Sequence, residues 1–193
     1  MKKMISGILL LTAILIIFLS CRRNDDSGTP PKKYRADVAV AWIDMQRKLL
    51  VGTPGLLPHV TGRVYAYTGL TMYESIVPGM HGYQSIASQL NGGLALPGIE
   101  QGKKYYWPAS ANAALAFILK NLLPHTTPQL LQSVDSLEAG FYNQFQTEAG
   151  VEALQRSADF GRQIAMAIFE WSKTDGGHEA YKNPFADDYV PPT

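Results

Sequence analysis

After Arg35 the apolar positions recur at helical spacing. Val38, Trp42, Met45 and Leu49 stand at i, i+4, i+7 and i+11, one face of a helix. Gly52-Thr53-Pro54-Gly55 breaks that pattern. Pro58 can open a second helix, with Val60, Val64, Tyr67 and Leu70 along one side and Tyr65, Met72 and Ile76 along another. Pro78-Gly79 closes it. Residues 81–107 carry five glycines and one proline and read as mostly loop. Pro108 suits the first turn of a third helix. Its run over 109–123 is apolar all round, the mark of a helix buried on every side. Pro124 stops it, and Thr126 or Thr127 can cap a fourth helix with Pro128 in its first turn. That helix carries Leu130, Val134, Leu137, Phe141 and Phe145. The chain turns near Gly150, and a long helix follows from Val151 through Leu154, Ala158, Ala165, Ile168 and Phe169 to about Lys173. Strand-like alternation is nowhere sustained. The pattern predicts an all-α helical bundle of about five main helices.

One packing problem is visible at once. A helix apolar on all sides needs neighbours all round, and four amphipathic helices look too few to supply them. With the extended ADDYVPPT at 186–193, this suggests that the helices belong to something larger.

The first residues follow another rule. Lys2 and Lys3 precede an apolar run from Ile8 to Leu19, which stops at Ser20-Cys21. That is the layout of a signal peptide over 1–20. The run falls short of the ~20 apolar residues that span a bilayer. Cys21 is the only cysteine, so no internal disulfide forms. Phe18-Leu19-Ser20-Cys21 resembles the lipobox of bacterial lipoproteins, in which the cysteine is acylated and becomes the mature N-terminus. The resemblance implies lipid attachment at Cys21 and an exported protein at a bacterial membrane, on the periplasmic face or the cell surface. Residues 21–33 then read as a flexible tether, and 34–193 as one helical domain. The Asp25-Asp26 pair beside the lipid is a candidate sorting signal.

Charge excludes one partner class. Seventeen basic and sixteen acidic residues leave a formal charge of +1, with no basic cluster for nucleic acid.

Candidate chemistry is sparse. His59, His81, His125 and His178 show neither H-E-x-x-H nor repeated Glu-x-x-His, so no metal set is legible. G-x-S-x-G and phosphate-cradling glycine loops are absent. Glu74, among Tyr67, Met72 and Tyr73, is a candidate buried carboxylate, with Arg63 eleven residues upstream on the same helix side. Asp175-Gly176-Gly177-His178-Glu179 offers a base and two carboxylates around a flexible pair. It is also what a helix end looks like, with glycine taking the left-handed cap.

Five segments carry a wider likeness: ADVAVAWIDMQ (36–46), TPGLLPHVTGRVYAYTGLTMYESIVPG (53–79), YQSIASQLNG (83–92), YYWPASANAA (105–114) and IFEWSKTDGGHEAYKNPFADDYVPPT (168–193). Together they resemble the N-terminal half of bacterial vanadium-dependent haloperoxidase-like proteins, of the type-2 phosphatidic acid phosphatase superfamily. In that family the catalytic signature is Lys…Arg-Pro, Pro-Ser-Gly-His and Ser-Arg…His…Asp, which cradles vanadate or phosphate. The family either oxidises halide with peroxide or hydrolyses phosphoesters. None of these motifs occurs here: Asp175-Gly176 stands before Gly177-His178 where Pro-Ser would be. The resemblance therefore implies vanadate for a full-length relative and transfers no catalytic, cofactor or metal residue to this chain. The expected function is the N-terminal helical portion of an exported haloperoxidase-like or acid-phosphatase-like lipoprotein. Its partner is the membrane, through Cys21, and either a catalytic half or a second subunit. The rival is a non-catalytic helical lipoprotein that binds a protein partner.

Overall fold

A computed structural model describes residues 29–182. The expected signal peptide (1–20), Cys21, most of the expected tether and the ADDYVPPT segment lie outside the described residues.

Five α-helices make the fold: α1 (Asp37–Gly52), α2 (Pro58–Ile76), α3 (Trp107–Leu122), α4 (Pro128–Phe145) and α5 (Val151–Ser172). Short 3-10 turns stand at Pro31–Lys33, Val77–Gly79, Ala87–Gln89 and Gly177–Glu179. No strand occurs among the described residues. Proline opens α2 and α4 and sits in the first turn of α3, where its missing N–H costs nothing. Of the two candidate caps for α4, Thr127 accepts the Leu130 N–H. Thr126 instead is buried and hydrogen-bonded to the Thr53 hydroxyl at 2.6 Å, tying the end of α1 to the start of α4.

The architecture is a central helix with a sheath. Twelve of the sixteen residues of α3 are buried, from Trp107 to Leu122. It packs against α5 and α2 most extensively, and against α4 and α1 as well. The expectation that four amphipathic helices are too few is therefore wrong. Small residues explain why: Ala109, Ala113, Ala114 and Ala116 let neighbouring backbones come close, and less sheath is needed around a thin helix. The closest approach is at Gly161 of α5, where a Cβ would lie 2.0 Å from the Ser110 carbonyl oxygen.

Buried polar side chains fasten the layers. Ser157 of α5 accepts the Tyr106 N–H at 2.7 Å, satisfying a donor at the start of α3. Ser110 donates to the Ser75 carbonyl of α2 at 2.7 Å. The 3-10 turn Pro31–Lys33 precedes Tyr34, whose ring meets Tyr106 edge-on at 5.1 Å.

Candidate functional site

The Asp175–Glu179 segment clasps the end of α5 to α2. The helix α5 stops at Ser172, and Gly176 takes a left-handed φ of 72° ahead of the 3-10 turn. The left-handed glycine is thus two residues past Thr174, the position directly after the Lys173 cap. Asp175 accepts the Tyr67 hydroxyl at 2.7 Å and the Gly177 N–H at 2.9 Å. Arg63 donates to the Asp175 carbonyl at 3.0 Å and stands 3.5 Å from its carboxylate. Gly177 has a separate reason to be glycine: a Cβ there would lie 2.2 Å from the Tyr67 oxygen. Burial and the Asp175 carboxylate push the Tyr67 phenol well above its ordinary pKa. The same ring meets Trp171 edge-on at 5.9 Å, and the Trp171 indole donates to the Asn91 carbonyl. Asp175 is therefore committed to its neighbours.

The histidines are scattered. His59 lies in the first turn of α2 and His81 in the following loop, both exposed. His125 departs from the expected exposure or capping role. Its ring stacks on Tyr181 at 3.8 Å, and burial holds its pKa below the ordinary value, opposed by the Pro54 backbone. His178 meets Phe169 edge-on at 6.1 Å and stands 3.9 Å from Glu179.

Arg63 and Glu74 do not meet. Eleven residues of helix span ~16 Å, and Arg63 turns to Asp175 instead. Glu74 is 1 % exposed, and its Oε1 accepts the Ile86 N–H at 2.9 Å. It forms the floor of a pocket of about 360 Å³, walled by Val77, Pro78, Leu94, Leu96 and Ile164. A larger concavity of about 610 Å³ lies between residues 98–105 and the first half of α5. Its arginine is already engaged: Arg156 donates to the Lys104 carbonyl at 2.9 Å and faces Glu100 at 3.6 Å.

The described arginines do not supply a vanadate cradle. An oxyanion site needs several uncommitted cationic donors converging on one position. Each described arginine already faces a carboxylate: Arg35 with Asp37, Arg47 with Asp44, Arg63 with Asp175, Arg156 with Glu100, Arg162 with Glu138. Among the described residues no group of three or more His, Cys, Asp or Glu is placed to hold a metal ion. No described helix is long and apolar enough to cross a membrane.

The arrangement of helices defines a haloperoxidase-like fold. The crystal structure described as that of the first bacterial vanadium-dependent iodoperoxidase superposes with a TM-score of 0.64 at 24 % identity. The match covers 80 % of this chain and 35 % of that protein. No family model matches the sequence. No curated protein matches it either.

Proposed function

We propose that this chain is the N-terminal helical portion of an exported vanadium-dependent haloperoxidase-like lipoprotein, held at a bacterial membrane by lipid on Cys21. The parent enzyme oxidises halide with peroxide or, with the same type of cradle, hydrolyses a phosphoester. The anion-binding residues come from outside these 193 residues, on the same polypeptide or a second subunit. The observation that carries this reading is the fold shared with the iodoperoxidase over only 35 % of that protein's length. In that role the helices here form a scaffold, with α3 sealed inside.

The intact mass of the protein extracted from its own cells tests this reading. A mass far above the 21.2 kDa of this chain, or a stoichiometric second subunit, is the expected result. A lone acylated chain ending at Thr193 would refute it.

One observation favours a second reading, a non-catalytic helical lipoprotein that binds a protein partner. The core is closed by the chain's own helices, with Ala114, Leu115, Ala116, Ile118 and Leu119 fully buried without outside help. Recovery of the single acylated chain with a bound protein, in a complex without vanadate-dependent or phosphoester turnover, would select it.

A further inference from the structure

We infer that the pocket over Glu74 binds an ammonium or guanidinium group carried on a short apolar stem. This goes beyond the proposed function and does not depend on it.

The starting point is an imbalance of charge. Glu74 is 1 % exposed and accepts one neutral hydrogen bond, from the Ile86 N–H to Oε1. Among the described residues no lysine, arginine or histidine pairs with it; Arg63, Lys120, Arg156 and Arg162 face other carboxylates. Glu138 shows how this protein treats a less buried carboxylate. At 18 % side-chain exposure it receives both Lys120, at 3.6 Å, and Arg162, at 2.9 Å. A carboxylate taken out of water without a counter-charge is costly, and a cation entering from the pocket removes that cost.

The walls select the kind of cation. Val77, Pro78, Leu94, Leu96 and Ile164 are apolar, and the hydroxyl groups of Ser85 and Ser88 are the other polar side chains lining the space. At about 360 Å³ the volume sits at the small end of organic-ligand sites. A bare metal ion wants several oxygen ligands, and one carboxylate among alkyl groups does not provide them. An anion meets the Glu74 charge head-on. A primary ammonium or guanidinium head with three or four methylenes satisfies both floor and walls. A free amine and a Lys or Arg side chain from outside the described residues share this chemistry.

The experiment titrates the purified ¹⁵N-labelled chain with n-butylammonium and n-propylguanidinium, using 1-pentanol as the uncharged alkyl control. The Ile86 amide reports directly, because it donates to Glu74. Saturable shifts at Ile86 and Leu94 are expected for both cations, with Kd on the order of millimolar. Pentanol should bind about tenfold or more weakly, for want of a charge-assisted bond. In Glu74→Gln, whose amide oxygen still accepts from Ile86, cation binding should fall to the pentanol level. Equal binding of pentanol by the wild-type chain overturns the inference without any variant, and so does undiminished cation binding by Glu74→Gln. Given cation binding by this chain, the native protein from cells identifies the source. Binding there too means a free amine, and a pocket already filled means a side chain of the parent protein.

Discussion

The Trp42 indole of α1 donates to Asn112 Oδ1 at 2.9 Å, and the Asn112 amide donates in turn to the Glu138 carbonyl of α4 at 3.0 Å. An indole N–H can only donate and a carbonyl can only accept, so the amide has one satisfactory orientation. One buried side chain on the central helix thereby fixes both neighbours. Asn112→Ala strands the buried indole donor and leaves a cavity. It should cost about 2–3 kcal/mol in denaturant unfolding. A loss below ~0.5 kcal/mol would show that the bridge is incidental.

At Gly161, α5 lies against α3 with no room for a methyl group. Gly161→Ala gains helix propensity of ~1 kcal/mol, yet the Cβ would meet a backbone carbonyl that cannot rotate away. Overpacking of this kind should dominate, giving a net loss of ~1–3 kcal/mol. A more stable variant would contradict the close approach.

The clasp at the end of α5 predicts different outcomes for adjacent glycines. Gly176→Ala meets no steric obstacle and pays only for its positive φ, ~1 kcal/mol. Gly177→Ala must displace Tyr67 from Asp175. Amide exchange should therefore quicken around residues 175–179 more in Gly177→Ala than in Gly176→Ala.

Two tyrosines set an alkaline limit. Burial, reinforced by Asp175 for Tyr67 and by Glu148 for Tyr106, raises both phenol pKa values above 10.0. A raised value means the fold favours the protonated form. That stability is complete below the unfolded pKa near 10 and is lost as pH climbs toward the folded one. Glu148 works in the opposite direction. Hydrogen bonds from Tyr106 and Gln144 lower its pKa below 4.5, so its contribution is present above that value and fades as pH falls through the folded one. Tm should decline above about pH 10 and more gently below about pH 4.5. Tyr106→Phe should flatten both declines, and an unchanged profile would rule out the Tyr106–Glu148 pair as their source.

Much of the helical bundle was legible because apolar spacing and proline placement act locally. Pro58, Pro108, Pro128 and the stripe Val38–Trp42–Leu49 all behave as the spacing implies. What escaped the sequence lies across long separations. Tyr67 and Asp175 are 108 residues apart, and nothing in either segment names the other. Glu74 was marked by its apolar neighbours, but its donor Ile86 sits in an irregular loop that carries no periodicity. Helical arithmetic placed Arg63 on the side of Glu74 but three turns away, and that separation leaves Arg63 free to turn to Asp175. The sheath around α3 was misjudged because alanine content reads as apolar, while its small size is what reduces the packing required.

The proposed export and lipid anchoring give a prediction independent of the bundle. Cys21→Ser should move the exported protein from the membrane fraction to the soluble fraction and abolish incorporation of labelled fatty acid. Retention at the membrane would show that Cys21 is not the anchor.

The most direct test of the account is vanadate-dependent oxidation of iodide and bromide by peroxide, with phosphoester hydrolysis assayed beside it, run on the protein extracted from its own cells and on this chain alone. The account predicts activity in the native preparation, lost on vanadate removal and restored on its return, and none from this chain alone. Vanadate-dependent turnover by this chain alone would contradict it, and so would a native preparation inert toward halides and phosphoesters alike.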